Sequence, residues 1–283
     1  MRQHLVSRVL LRRFENHRNS PICVFDLDGK VEKTSRVKHI CHIQDFILVG
    51  AKETEGTWQT VEKRLPYAFE LLDKKEILND SAALDTFKDC IALHWARSIA
   101  VEEMYKKKSE IYANMLAENV LNKASPEEVL RALTGLDVLG PQAPTIAHER
   151  LRDYFRRATD KTKFKAKLFY KLFDRARSYV SEFALEFGIA TEGELMLADT
   201  PVIAWNSSTR RVGPLQGVRW GQADVIFMAL GPKHVVALTQ HNTYRYIGEK
   251  EIERLNALQL QGALRYMYYR CGSSLGQKLR QML

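Results

Sequence analysis

The stretch LMLADTPVI, residues 195–203, places one carboxylate inside an otherwise apolar run. A continuous apolar run of this length is typical of a buried strand. A charge at its centre must be paired, hydrogen-bonded or exposed in a cleft. Pro201 cannot donate a hydrogen bond to a neighbouring strand, so the strand is predicted to break just past Asp199. Asp199 is therefore either a site residue or the cap of a turn, and the sequence leaves both interpretations open.

The composition indicates a globular protein with a hydrophobic core. The chain has 283 residues, of which 45% are hydrophobic, as in ordinary globular proteins. No apolar stretch approaches the ~20 residues that a membrane span needs, and arginines interrupt the N-terminus where a secretory signal would be apolar. The four cysteines are widely scattered, which favours reduced thiols. We therefore expect a cytoplasmic protein with no membrane association.

The net charge of +9 is unevenly distributed along the chain. Residues 1–150 contain 22 Lys/Arg and 22 Asp/Glu, whereas residues 151–283 contain 21 against 12. Such asymmetry favours contact with a polyanion. The basic residues are densest between positions 152 and 177. Either this segment faces phosphates, or it is a solvated helix face whose lysine stems cover apolar surface.

We predict that this segment and three arginines of a later loop form one basic surface that binds nucleic acid, either DNA or RNA. The predicted contacts are Arg156, Arg157, Lys161, Lys163, Lys165, Lys167, Lys171, Arg210, Arg211 and Arg219. The sequence also leaves open that the protein binds a protein partner.

Hydrophobic periodicity divides the chain into a hairpin, a helical middle and a strand-rich last third. The apolar residues 22–25 followed by Asp28-Gly29 predict a β-hairpin, because glycine accepts the positive φ of a tight turn. The runs 224–230 and 234–238 predict a tight pair of strands. Apolar residues at three- and four-residue steps predict helices. These helices cover 4–14, 58–72 with a kink or restart at Pro66, 81–105, 109–122, a segment beginning at Pro126, 146–188 and 249–270. Asp80 or Ser81 is predicted to cap the helix over 81–105, and Ser125 the helix that begins at Pro126.

Segregated strands on either side of a helical middle argue against alternating βαβ units. We predict an α+β fold, predominantly helical, whose small antiparallel sheet combines the N-terminal hairpin with the strands after Leu195. The chain is expected to form a single domain, residues 1–283, with the Gly- and Pro-containing residues 135–144 as a candidate internal linker.

The residues near the hairpin include a candidate metal site. His39, Cys41 and His42 are close in sequence, and Cys23 could approach them if the hairpin folds back. This set could bind zinc, but separated ligand pairs of the usual spacing are missing. The residues are better interpreted as adjoining core and surface positions, and no metal or cofactor is expected.

Together these landmarks resemble the bacterial domain-of-unknown-function family numbered four-two-three-eight. Its members open on a His and then Leu-Arg-x-Phe, which are similar to His4 and residues 11–14. Its mid-chain Glu and Arg look like Glu62 and Arg97, and its Asp-x-Pro-Val strand is similar to residues 199–202. The resemblance extends over nearly the whole chain. It implies a bacterial cytoplasmic setting and no known reaction.

These residues also predict a candidate site. We expect His4, Glu62, Arg97 and Asp199 as catalytic residues, and Arg12 as a binding residue, in one polar pocket, because buried charges persist only when paired. An acid/base pair beside an arginine that holds phosphate would suit a nuclease-like effector of an antiviral or toxin system. The alternative is a non-catalytic binding or regulatory module, in which Arg97 is the buried structural partner of Asp199 or Glu62.

Overall fold

The computed structural model describes residues 2–44, 51–135, 140–161 and 164–283. These residues form two compact units. The first unit contains residues 2–44, 52–101 and 169–283, and the second contains Ala51 and residues 102–135, 140–161 and 164–168. The predicted linker falls within the second unit, and its residues 136–139 lie outside the described residues. The expectation of a single domain stays a prediction.

The strands of the described residues all belong to the first unit. They are β1 (Arg2–His4), β2 (Ile22–Asp26), β3 (Val31–Ser35), β4 (His42–Gln44), β5 (Ala184–Ala190), β6 (Leu197–Ala198), β7 (Val202–Asn206), β8 (Arg211–Val212), β9 (Val225–Gly231), β10 (His234–Thr239), β11 (Thr243–Ile247) and β12 (Tyr266–Tyr269).

The α-helices are distributed over both units. They are α1 (Arg8–Leu11), α2 (Ala51–Asp73), α3 (Ser81–Ala96), α4 (Ile99–Leu121), α5 (Pro126–Thr134), α6 (Ala143–Lys161), α7 (Phe164–Ser181), α8 (Glu249–Gly262) and α9 (Leu275–Met282). None of these helices is both long enough and apolar enough to cross a bilayer, a finding that covers the described residues alone.

The predicted α+β class is confirmed, and the strands form three sheets. One is a four-stranded antiparallel sheet of order β3-β2-β12-β6, which joins the N-terminal hairpin to the strand at Leu197–Ala198. The later strands form a separate six-stranded sheet of order β11-β5-β10-β9-β7-β8, antiparallel except for β11 beside β5. Strands β1 and β4 pair by themselves. The prediction of one combined sheet is therefore correct for β6 and wrong for β7 to β11, which belong to the separate six-stranded sheet.

The closing helix predicted over 249–270 is wrong in its second half. Helix α8 ends at Gly262, and Ala263 takes extended backbone angles before β12. The run Tyr266–Tyr269 is rich in aromatic residues, which favour strands, and its apolar spacing over four residues cannot distinguish helix from strand. A side chain at Gly262 would lie 2.6 Å from Ile203, so this glycine lets α8 pack closely on β7.

Three other helix predictions need correction. The helix predicted over 81–105 breaks at Arg97, which ends α3 before α4 begins. The helix predicted over 146–188 is α6, α7 and then the strand β5. The helix predicted over 4–14 is only α1 and a 3₁₀ turn, because His4 belongs to β1 and pairs with β4. Helix α2 runs through Pro66 without a restart.

Several local signals are confirmed. Asp80 caps α3 by accepting the Ala83 N–H, and Ser125 forms the capping box of α5 with Glu128. Strands β9 and β10 form the predicted tight pair. The hairpin β2–β3 is also present, although the residue with positive φ in its turn is Lys30 rather than the glycine before it.

Buried apolar side chains pack helices against their neighbours in both units. In the second unit α4, α5 and α6 pack through Ala117, Val129, Leu130, Ala143, Ala147 and Leu151. In the first unit α9 covers the four-stranded sheet through Leu275 and Leu279. Buried apolar contact of this kind supplies most of the stability of short helices.

The expectation that the cysteines form no framework is wrong for one pair. Cys23 and Cys271 form a disulfide with their Cα atoms 5.0 Å apart and a sequence separation of 248. Cys23 lies opposite Tyr269 at the end of β12, which brings Cys271 beside it. Cys41 and Cys90 are free thiols. The pairing was not predictable because β12 itself was not predicted.

Reduction of this disulfide should lower the free energy of unfolding by about 3–5 kcal/mol, because a cross-link over so long a loop restricts the unfolded chain. Denaturant unfolding with and without dithiothreitol measures the change. The variant Cys271→Ser should match the reduced parent and not respond to the reductant. Identical curves for the oxidised and reduced parent would contradict a stabilising role.

Candidate functional site

Arg97 is the charged residue around which the site is built. It is 2% exposed, at the junction where α3 ends. Its Nη2 donates to Glu62 Oε1 at 2.5 Å, and its Nε donates to the Leu5 carbonyl at 3.1 Å. Its guanidinium also lies 5.5 Å from the ring centre of Trp58. The arginine thus joins α2 and the end of α3 to the segment after β1.

The Glu62 carboxylate is held in its charged form. Burial acts to raise the pKa of Glu62, but the charge and hydrogen bond of Arg97, with a further bond from Ser7, outweigh it and lower that pKa. A buried ion pair of this kind is costly to break, since removing one partner leaves the other charge uncompensated. Arg97 and Glu62 therefore form a fixed anionic–cationic pair.

His4 lies beside this pair and faces a second histidine. His4 and His42 are direct partners across β1 and β4, with ring centres 5.7 Å apart. Burial, then electrostatic interactions with Arg8, His42 and Arg97, lowers the pKa of His4 to about 4, so its imidazole is neutral at pH 7. Nε2 of His4 and Nδ1 of His42 are buried without a hydrogen-bond partner among the described residues. We call His4, His42, Ser7, Glu62 and Arg97 the His4 cluster.

A third histidine fixes the backbone beneath the cluster. His94 is fully buried, its Nε2 accepts the backbone N–H of Ser7 at 3.1 Å, and its Nδ1 donates to the Cys90 carbonyl at 2.8 Å. Burial lowers the pKa of His94 to about 3, so the ring stays neutral with the proton on Nδ1. The sequence interpretation missed Ser7, His42 and His94. The one signal for His94 was its position three residues before Arg97 on the buried face of α3.

Among the described residues, Asp199 forms no ion pair with an arginine side chain. Its carboxylate is 2% exposed and accepts the backbone N–H groups of Leu264 at 2.9 Å, Arg265 at 2.9 Å and Tyr266 at 3.1 Å. Burial raises the pKa of Asp199, and these three hydrogen bonds act against that rise. Of the two interpretations that the sequence left open, the contacts of Asp199 are those of a turn cap.

The predicted pocket is therefore only partly assembled. His4, Glu62 and Arg97 come together, whereas Asp199 caps the turn that leads into β12. Cys41 lies close enough to Asp199 and Arg97 for both charges to affect its thiol. Asp199 raises the pKa of the thiol and Arg97 lowers it. Burial is the largest cause that raises this pKa to about 12, so the thiol is protonated at neutral pH.

Arg12 was expected in the pocket as a buried charge, and this expectation is wrong. The turn after α1 directs Leu11 and Phe14 into the core and leaves Arg12 exposed to solvent. Arg12 instead lines a surface cavity together with Arg8. One helical turn separates these two arginines, so they lie on the same side.

The predicted nucleic-acid contacts differ in their surroundings. Lys165 is largely buried and donates to Glu102 at 2.8 Å, so it is a structural ion pair rather than a phosphate contact. Arg156 is exposed 3.3 Å from Asp153. The remaining exposed cations are Arg157, Lys167, Lys171, Arg210, Arg211 and Arg219. The side chains of Lys161 and Lys163 lie outside the described residues.

Within the described part of the chain, no group of three or more His, Cys, Asp or Glu side chains is arranged to hold a metal ion. Cys23, considered above as a zinc ligand, is bonded to Cys271.

The fold and the His4 cluster define an α+β protein with a half-buried His–Glu–Arg site. The chain belongs to the family described as "Protein of unknown function (DUF4238)", which matches residues 2–273 of the 283. This match confirms the resemblance inferred from the sequence. No curated protein and no solved structure matches the chain.

The variant Asp199→Asn should lower the free energy of unfolding by about 2–3 kcal/mol, because an amide replaces one oxygen that accepts a backbone N–H with a group that donates. Chemical denaturation measures the loss, and Asp174→Asn on the exposed face of α7 is the control. If Asp199→Asn unfolds like the parent, the capping role is incorrect.

Proposed function

We propose that this protein binds nucleic acid through the exposed cations of α7 and acts on it at the His4 cluster. The observation that carries the binding proposal is the spacing of Lys167, Lys171 and Arg175. They recur every four residues, so they lie along one side of the helix, and all three are exposed. Successive cations on one helix face are a common means of following a phosphate backbone.

The surroundings of these cations support the proposal. Asp174 is the single acidic residue in the sequence of α7. Lys167, Lys171 and Arg175 form no ion pair with a described residue, whereas Lys165 on the inner side binds Glu102. A solvated helix face usually alternates charges of both signs. A face of one sign is better suited to a polyanion than to stabilising the helix.

The His4 cluster supplies the chemistry proposed for cleavage. A neutral imidazole can accept a proton from water as the water attacks a phosphodiester. The Nε2 atom of His4 is buried and has no hydrogen-bond partner among the described residues. It can take this role once substrate binding admits a water molecule to it. The fixed Arg97–Glu62 pair beside it holds the site in place, and Arg97 adds positive potential near the reacting phosphate.

The second candidate function is a non-catalytic binding module, and the contacts of Arg97 favour it. Arg97 already donates to Glu62 and to the Leu5 carbonyl, which is a complete structural role. In this case the His4 cluster only holds β1 against the helices, and the cations of α7 bind nucleic acid without any reaction. An assay of cleavage separates the two candidates.

If its ligand is nucleic acid, the protein would act in the cytoplasm. Cleavage of nucleic acid would suit an effector of an antiviral or toxin system. The Cys23–Cys271 disulfide is more typical of oxidising compartments. The redox state of this pair in the cell is therefore a direct test of the proposed location.

Replacing Lys167, Lys171 and Arg175 with alanine should weaken binding to mixed-sequence oligonucleotides and flatten its dependence on salt. Each lost phosphate contact lowers the slope of log affinity against log salt by about 0.7–0.9, so the triple variant should lose about 2–3 units. Fluorescence anisotropy between low and moderate salt measures the slope.

The matched control is the triple variant Lys74→Ala, Arg245→Ala and Lys278→Ala. It removes the same charge from cations that already bind carboxylates, two of them exposed and one, Lys278, half-buried. If both triple variants change binding equally, only net charge matters and the α7 surface is not the site. If the parent does not bind at low salt, the proposal fails.

The variant His4→Gln should abolish cleavage of labelled DNA or RNA while nucleic-acid binding persists, because glutamine cannot take up the proton. His39→Gln, on an exposed 3₁₀ turn, is the control and should cleave like the parent. Gel analysis of end-labelled substrates measures the loss. A parent protein that binds but never cleaves would favour the non-catalytic module.

A further inference from the structure

A second cluster of cations surrounds a concave surface beside α1. The cavity has a volume of about 360 Å³ and is lined by Arg8 and Arg12 on one side and by Arg36 and Lys38 on the other. Val37, between the latter two, is 3% exposed, so its burial holds the segment in place while its charged neighbours face outward. We call this surface the Arg12 cavity.

The four cations of the Arg12 cavity are exposed, and none forms an ion pair or a side-chain hydrogen bond with a described residue. Arg13, which follows Arg12 in the chain, has a carboxylate partner, because its guanidinium donates to both oxygens of Asp73 at 2.5 Å. The single carboxylate at the cavity, Glu15, already accepts the backbone N–H of Asn19 at 3.0 Å.

Four like charges around one concavity repel each other, and a bound anion would relieve that repulsion. Arginine presents a planar fork of N–H donors that matches the oxygens of a phosphate group, and lysine adds a point charge. The floor is largely polar, so recognition would rest on charge. The volume falls within the range of small-molecule sites, about 300–1,000 Å³, and exceeds the needs of a lone phosphate.

We propose that the Arg12 cavity binds the terminal phosphate of a phosphate monoester, either a free nucleotide or the phosphorylated end of a nucleic-acid strand. A monoester carries nearly two negative charges at neutral pH, whereas an internal phosphodiester carries one. The cavity therefore selects an end or a mononucleotide over a continuous backbone. This inference goes beyond the proposed function and does not depend on the cations of α7.

The position of Arg8 connects the cavity to the His4 cluster. The charge of Arg8 is the second largest cause, after burial, of the lowered pKa of His4. An anion bound at Arg8 would offset that charge and raise the pKa of His4. A ligand in the Arg12 cavity would therefore shift the pKa of the neighbouring imidazole upward, while burial, the larger cause of the lowered pKa, would remain.

Isothermal titration calorimetry at low salt tests the proposal with AMP, adenosine and inorganic phosphate. AMP should bind the parent, and adenosine should not. The double variant Arg12→Ala and Arg36→Ala should bind AMP at least about tenfold more weakly, since it removes two charge-assisted contacts. The double variant Lys74→Ala and Arg245→Ala removes the same charge from exposed cations outside both proposed binding surfaces and should bind AMP like the parent.

Two oligonucleotides of one sequence, with a 5′-phosphate or a 5′-hydroxyl, separate the sources of the phosphate. A preference for the phosphorylated strand that the Arg12→Ala and Arg36→Ala variant loses assigns the cavity to strand ends. Binding of AMP without such a preference assigns it to free nucleotides. Arg12→Gln, which keeps much of the aliphatic stem, provides a second variant should the double variant fail to fold.

Three results would overturn the proposal: no binding of AMP to the parent, equal binding of adenosine and AMP, or equal loss of AMP binding in both double variants. None of these results bears on the salt dependence of nucleic-acid binding at α7, because the anisotropy assay measures binding to the phosphate backbone. Failure of the cavity and failure of the proposed function are thus separate outcomes.

Discussion

The buried carboxylate of Asp199, bound to three consecutive backbone N–H groups, determines the arrangement of the first unit. A buried carboxylate without such partners would be strongly unfavourable. By accepting from residues 264–266 it fixes the turn between α8 and β12, and β12 then lies between β2 and β6. The hairpin, the Asp199 segment and the disulfide between Cys23 and Cys271 all depend on that placement.

A buried charge of the opposite sign, Arg97, is satisfied separately, by Glu62 and a backbone carbonyl. Arg97 and Asp199 are therefore each stabilised by their own partners and not by an ion pair with each other. This arrangement leaves His4 and His42 as the members of the cluster that each have a buried nitrogen atom without a described partner. Rigid neighbours around these two imidazoles are suited to acid–base work and equally to holding β1 against the helices.

The candidate site was predicted in part. His4, Glu62 and Arg97 were chosen from their resemblance to a family pattern, and they do meet. Arg12 was misplaced because the periodicity of a short apolar segment does not indicate which side of a turn faces solvent. Lys165 was misassigned for a related reason, since a dense run of bases does not reveal which of them has a carboxylate partner on another helix.

The sequence by itself determined the family, the α+β class and the elements whose signals are local. The Asp80 and Ser125 caps and the break after Asp199 involve chemistry within a few residues, so the sequence contains it directly. Only the tertiary structure decided that Tyr266–Tyr269 is a strand, that the disulfide forms, and that four cations share one cavity. Each of these depends on contacts between distant segments, whose pairing is decided by packing and not by the local preferences of either segment.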